Sequence, residues 1–378
     1  MDFDLTDDQK LLTDSVGKLL ADRYSFEARK GFQKQPDGWS PDVWTQFAEM
    51  GLLGLPFAES YGGFGGGAID VMLVMEQFGK VLVLEPYLAT VVLAGTALRL
   101  AGSEAQKSAL LPEIVGGTLK MAFAHGEQGA RYDLTDVQTT AKPSAGGWLL
   151  EGAKSVVLHG DCAGKLVVSA RTAGGRDDPD GITLFLVDAT ANGVGRRAYT
   201  LRDGTRAAEI SLAAVQLGAD AVLGTVGAGL PVVRRVVEAG ISAMAAEVVG
   251  GMDKMLEVTL EYLRTRQQFG KAIGENQVLQ HKAADMLMSL EQGRSMAMLA
   301  AMMVDEPNEA ERDRNIAMAK VGVGQAGKFV SQNAVQLHGG IGMTEEYVIG
   351  HYFRRAMMFD HSFGDTAYYL NKLAAQVH

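Results

Sequence analysis

The chain has 378 residues, 47% hydrophobic and 21% charged, without a low-complexity tract; this excludes a disordered or fibrous protein and allows two or three structural units with large cores. A formal net charge of -10, from 45 acidic and 35 basic residues, argues against nonspecific binding to nucleic acid or an anionic membrane. Cys162 is the single cysteine, so an internal disulfide and a multi-cysteine cage are excluded, no metal is expected, and the thiol usage fits a reducing compartment.

The opening Met1-Asp2-Phe3-Asp4-Leu5 is acidic where a secretory signal needs positive charge. No apolar run approaches the roughly 18–20 residues that span a bilayer, so a soluble, cytoplasmic protein is expected. Thr6-Asp7-Asp8-Gln9 has the form of a capping box, with acids in the first turn to complement the helix dipole. Leu11, Leu12, Val16, Leu19 and Leu20 then share one face at helical spacing. A glycine-rich loop, Tyr61–Gly67, precedes helical patterns from about Ala68 to about Leu111.

Near Leu119 the pattern becomes short β-type runs separated by Gly, Asp and Ser: 148–150, 155–158, 165–168, 182–187, 207–212 and 215–217. They predict a small antiparallel β domain ending near Val222. From about Gly229, long Ala/Met/Leu-rich helical patterns run onward, with methionine as adaptable packing. The expected fold class is α+β: a helical domain over 1–118, a β domain over 119–224 and a helical bundle of four helices over 225–378. The apolar faces of the last segment exceed what one bundle can bury, which predicts a dimer or tetramer.

Two C-terminal motifs narrow this further. Arg266-Gln267-Gln268-Phe269-Gly270, followed by Gln277, resembles the R-x-x-F-G…Q signature of the acyl-CoA dehydrogenase family. Gln336-Leu337-His338-Gly339-Gly340-Ile341-Gly342 resembles its Q-x-x-G-G-x-G signature, and the resemblance covers nearly the whole chain. It implies an acyl-CoA dehydrogenase-like fold, an FAD cofactor, an acyl-CoA substrate in β-oxidation, α,β-dehydrogenation, and an electron acceptor such as an electron-transfer flavoprotein. It also implies that Arg266, Gln268, Phe269, Gln277, Gln336, Leu337, Gly339 and Gly340 reach the ADP half of an FAD whose ring lies in the neighbouring subunit. The residue types suit that role. An arginine grips pyrophosphate through a planar fork, and glycines let backbone N–H groups approach phosphate oxygens.

The departures from the family pattern are as informative. The family base is a Glu preceding a Gly-Thr pair, and the stretch placed there by Arg354-Arg355-Ala356 reads Ser362-Phe363-Gly364-Asp365-Thr366. Phe363 therefore stands at the base position and cannot accept a proton. Some members carry the base on the first long helix after the β domain, near Gly240 here. Glu238 lies two residues away, roughly 200° around a helix. Glu247, seven residues on, shares the face and is a weak candidate, as are Asp365 and Asp360. In place of T-E-P-x-A-G-S-D the chain has Gly126-Glu127-Gln128-Gly129-Ala130-Arg131-Tyr132-Asp133, so Gly126 replaces a flavin-binding hydroxyl. In place of K-x-W-I-T-N-G it has Lys154-Ser155-Val156-Val157-Leu158-His159-Gly160, so Val156 and Leu158 replace the ring-covering Trp and the Thr near N5.

Elements that act on the chain's own flavin ring are thus lost, whereas those that reach a neighbour's ADP moiety remain. This pattern is similar to the small subunit of two-component acyl-CoA dehydrogenases of the pimeloyl-CoA type, and it implies a base-lacking subunit in an oligomer with another dehydrogenase-type chain. Two alternatives stay open. One is a homo-oligomeric active enzyme using Asp365, Glu247 or Asp360. The other is a nucleic-acid-binding relative, which the acidic composition disfavours. His361 is the histidine nearest the expected site, while His125 and His159 are candidates to replace lost flavin hydrogen bonds.

Overall fold

A computed structural model describes residues 5–376, so the acidic opening over 1–4 lies outside the described residues. The first helices are α1 (Asp7–Arg23), α2 (Phe26–Phe32), α3 (Pro41–Glu49) and α4 (Ala68–Val81), then a π-helical turn at Leu88–Ala94, α5 (Gly95–Ala101) and α6 (Glu104–Val115). The Thr6 box forms as expected: Gln9 N donates to Thr6 Oγ1 at 3.2 Å and Thr6 N to Gln9 Oε1 at 3.1 Å. Ser103 and Gln106 build the same reciprocal cap on α6.

Eight strands follow: β1 (Met121–Ala124), β2 (Thr140–Ser144), β3 (Gly147–Leu158), β4 (Lys165–Arg171), β5 (Ile182–Asp188), β6 (Val194–Thr200), β7 (Arg206–Gly218) and β8 (Val222–Leu223). They form one sheet in the order β6-β7-β3-β2-β4-β5-β8, with β1 beside β4. The sheet is mostly antiparallel, as expected from sequence, with parallel pairing added at β4. β1 pairs with β4 in parallel and β2 touches β4 in parallel, while the other pairs are antiparallel. β1 is buried at all four positions, as parallel strands are. β6 was invisible to pattern reading because it is a largely exposed edge strand carrying Arg196 and Arg197. Leu150, Leu166, Val168, Phe185, Ile210 and Val215 are fully buried in the core over one face.

The remaining elements are α7 (Leu230–Thr265), β9 (Gln267–Gln268), β10 (Lys271–Ala272), α8 (Gln277–Met303), α9 (Glu309–His338), α10 (Ile349–His361) and α11 (Thr366–Ala375). By packing, the chain divides into two compact units that interleave in sequence. One comprises Phe32–Gly67 and Leu84–Gly240 and carries the sheet; the other comprises Met1–Gly31, Ala68–Val83 and Ile241–His378. Within the second, α4 and α7 meet backbone to backbone. A Cβ on Gly79 would lie 1.8 Å from Glu247 O, and one on Gly250 would lie 1.8 Å from Glu76 O. Met252, Met255 and Met286 are fully buried there, the gap-filling use that their flexible thioethers suit. No helix among the described residues is long and apolar enough to cross a membrane.

Candidate functional site

The two signature motifs meet at one end of the helical unit. Beyond α7, β9 and β10 form a hairpin whose two-residue loop is Phe269-Gly270, with φ of 54° and 80° as a type I′ turn requires. A left-handed phenylalanine is strained by about 1–2 kcal/mol, and Phe269 is 101% exposed, so this chain offers it no packing in return. Arg266 is anchored by its backbone: its N donates to Tyr262 O at 2.9 Å, and its O accepts from Ile273 N at 2.9 Å. Its guanidinium is exposed. One turn back, the Tyr262 ring stacks on His338 at 4.5 Å, and His338 packs on Tyr347 at 5.1 Å and donates from Nδ1 to Ala334 O at 2.8 Å. This aromatic stack holds the end of α7 against the end of α9.

α9 stops at Gly339, whose φ of 61° and ψ of -140° suit glycine alone. A Cβ on Gly339 or Gly340 would meet nothing within 4 Å, so the backbone there faces open space. Gln336 is exposed, Leu337 is buried beneath it, and Gln268 and Gln277 are exposed. A free guanidinium, carboxamides and bare glycine backbone make a donor set suited to a pyrophosphate.

The positions matched to the flavin ring lie on β3 and on the loop after β1. Ser155 N donates to Gly126 O at 2.8 Å, which seats the loop after β1 on β3. β3 bulges against β7 between Lys154 and Val157. Val156, on the bulge, has φ 53° and is 51% exposed, an outlying conformation for a β-branched residue. Glu209 Oε1 pins it, accepting from Val156 N at 3.3 Å and from Tyr199 Oη at 2.7 Å. Gly126, Val156 and Leu158 carry no hydrogen-bonding side chain. Beneath them the framework is intact: Lys154 Nζ donates to Glu127 Oε1 at 2.6 Å and Ser169 Oγ at 3.0 Å. Glu127 also accepts from Gln138 N at 2.8 Å and Thr139 N at 3.1 Å. His125 stacks on Phe123 at 4.9 Å, and burial pushes its pKa down to about 4, so it is neutral near pH 7.

The α10–α11 connection holds Phe363, with φ 59° and its carbonyl accepting from Tyr369 Oη at 2.9 Å. The acids around it are engaged locally. Asp360 Oδ1 accepts from Thr366 N at 3.1 Å and Thr366 Oγ1 at 2.6 Å, and Asp365 caps α11 by accepting from Tyr368 N at 2.7 Å. Glu247 is buried in an ion pair with Arg355, which also donates to Val83 O. His361 is exposed at the end of α10. Glu238 is buried on α7, with Arg235 Nε 4.0 Å away.

Lys320 of α9 is fully buried, donating to Phe359 O with its Nζ 3.7 Å from the centroid of the Phe359 ring. Burial pushes its pKa down to about 7 against the opposing pull of Asp360 and Asp365, and burial pushes Lys154 down to about 8 against Glu127. Both lysines bind protons more tightly in the unfolded chain, so stability is expected to rise between about pH 7 and about pH 10. Above that range the sign reverses, because burial raises Tyr87 and Tyr352 and their unfolded forms ionise first. Urea midpoints taken across this range check the sign, and Lys320→Met should remove part of the rise.

Three matched segments bear on identity. The N-terminal, middle and C-terminal domains of acyl-CoA dehydrogenases match residues 6–118, 122–216 and 227–378. The short-chain-specific acyl-CoA dehydrogenase of Megasphaera elsdenii is 30% identical over 369 residues, 94% of each chain. The structure of butyryl-CoA dehydrogenase from Megasphaera elsdenii superposes with a TM-score of 0.91 at 26% identity, covering 100% of both chains. A chain of the ChsE4-ChsE5 complex from Mycobacterium tuberculosis gives 0.89 at 25% identity, covering 100% of this chain and 99% of that one. The helical–sheet–helical scaffold is that of an FAD-linked oxidoreductase. This chain belongs to the acyl-CoA dehydrogenase family, and FAD is its cofactor.

The residues fit that cofactor unevenly. The open Arg266 and Gly339-Gly340 end suits the anionic pyrophosphate, whereas Gly126, Val156 and Leu158 offer the ring only backbone groups. Sequence reading missed the Tyr262–His338 stack, for which no local signal exists, and the burial of Lys320. It also passed over the Phe269-Gly270 turn, which the glycine after an exposed motif residue could have signalled.

Proposed function

We propose that this chain is the base-lacking subunit of a two-component acyl-CoA dehydrogenase of the pimeloyl-CoA small-subunit type. It completes a partner's FAD site through the Arg266–Gly270 hairpin, Gln277 and the Gln336–Gly340 turn. The observation that carries this reading is Phe363 in the connection between α10 and α11, with Asp360 and Asp365 committed to hydrogen bonds at the start of α11. Dehydrogenation needs a carboxylate to take the α-proton while FAD accepts the β-hydrogen as hydride. Glu247 cannot serve, because its carboxylate is buried against Arg355. The partner supplies the base and holds the ring, and this chain supplies cations and backbone amides to the pyrophosphate. The strained, exposed Phe269 supports a covering partner at that hairpin. The ChsE4-ChsE5 assembly, named for two chains, supports a paired arrangement. We place the complex in the cytoplasm, acting on an acyl-CoA and passing electrons to an electron-transfer flavoprotein.

The test is dehydrogenation by the purified single chain, with a panel of acyl-CoAs and an artificial electron acceptor. No turnover above background is expected. Phe363→Glu alone should not restore it, since Val156 and Leu158 still leave the ring poorly held. Rates in the ordinary enzyme range of about 1–1000 per second would overturn the reading.

A further inference from the structure

The turn joining β3 to β4 gathers a histidine, a carboxylate and the chain's only thiol. One potential ligand atom each from His159, Asp161 and Cys162 lies within 4.8 Å of the others. The turn is firmly set by backbone bonds: His159 N donates to Arg206 O at 2.9 Å and Cys162 N to His159 O at 3.3 Å. Arg196 Nη1 donates to Asp161 O and to Ala163 O, both at 3.1 Å. The Asp161 side chain is only 9% exposed, and Arg206 Nε holds its Oδ2 at 2.8 Å. Its other oxygen, Oδ1, is buried and has no hydrogen-bond partner among the described residues. A buried carboxylate oxygen without a donor is costly unless something positive meets it.

We propose that His159, Asp161 and Cys162 form a binding site for a zinc-type divalent cation on the β3–β4 turn. Mixed nitrogen, oxygen and sulfur donors select a borderline metal over magnesium or calcium, which prefer oxygen alone. Three protein ligands leave the fourth tetrahedral position for water. The Arg206 contact to Oδ2 is the outer hydrogen bond that orients a ligating carboxylate, leaving Oδ1 to face the metal. The mutual spacing is wider than bonds of about 2.0–2.3 Å allow at its limit, so the ligands close slightly on the ion. Asp161 and Cys162 retain some exposure, which provides an entry path. Binding ties the end of β3, which carries Val156 and Leu158, to the turn that follows it, so the cation acts on the geometry of the ring-facing strand.

Titration of the whole chain with Co2+ as a spectroscopic probe, and with Zn2+ in competition against a chromophoric chelator, tests this. One equivalent of Co2+ should give a thiolate-to-metal charge-transfer band. Cys162 is the only cysteine, so the band can arise nowhere else. Cys162→Ala should abolish the band, and Cys162→Ala or Asp161→Asn should weaken Zn2+ binding by about tenfold or more. Arg206→Lys, which keeps the charge but loses the Nε donor to Asp161 Oδ2, should weaken it less while leaving the band present. Melting temperatures read without metal separate misfolding from ligand loss. If Co2+ binds without a thiolate band, or Zn2+ affinity is unchanged in a folded Cys162→Ala variant, the site does not exist.

Discussion

Arg355→Met is expected to cost about 3–5 kcal/mol of stability in the helical unit. Arg355 and Glu247 have side chains only 8% and 7% exposed, and they form an ion pair. Removing the cation takes away the buried carboxylate's ion-pair partner, close to where α4 and α7 are in backbone contact at Gly79. It also strips Val83 O of the guanidinium donors at 3.3 Å and 3.4 Å. Arg355→Met with Glu247→Leu should recover much of the loss, because two apolar groups of similar bulk remove both desolvation costs at once. Recovery should stop short of wild type, since Val83 O stays without those donors. Urea unfolding midpoints of the single and double variants decide it. A loss below about 1 kcal/mol in Arg355→Met would mean the pair is not structural, and Glu247 would return as a candidate base.

The legible part of the molecule is the part governed by local chemistry. Thr6-Asp7-Asp8-Gln9 announced its helix because a capping box is closed within four residues. The buried runs of β4 and β5 were visible as apolar stretches. β6 was not, because an edge strand with paired arginines carries no apolar alternation. The parallel pairing of β1 with β4 depends on strands about 40 residues apart, and nothing local encodes it. At the site, Arg266 and the glycines came from the resemblance of their motifs to the family signatures. What they rest on did not: the Tyr262–His338 stack joins residues on two helices, and aromatic residues at those positions look like ordinary packing. Asp360 and Asp365 looked like spare carboxylates in sequence. Their hydrogen bonds to Thr366 and Tyr368 exist only once α11 has formed.

In the assembled complex, Arg266→Ala in this chain should weaken the partner's hold on FAD by about tenfold to a hundredfold, equivalent to roughly 1.5–3 kcal/mol for a charge-assisted bond. The partner's base and ring contacts would be untouched, so its turnover at saturating FAD should persist while activity at limiting FAD falls. The substitution should leave folding intact: Arg266 is exposed, and the hydrogen bonds that set the hairpin come from its backbone N and O, which alanine keeps. Arg266→Lys should recover part of the affinity, because an ammonium retains the charge but cannot form the bidentate fork. Flavin content after gel filtration at limiting FAD, measured beside the melting temperature of the complex, separates the two effects. A wild-type FAD affinity in the alanine variant would remove Arg266 from the site and, with it, the reason to regard this chain as completing a neighbour's cofactor pocket. A matching fall with Phe269→Gly, which relieves the strained turn but deletes the ring, would show that the hairpin is read by the partner as a surface as well as by the cofactor as a charge.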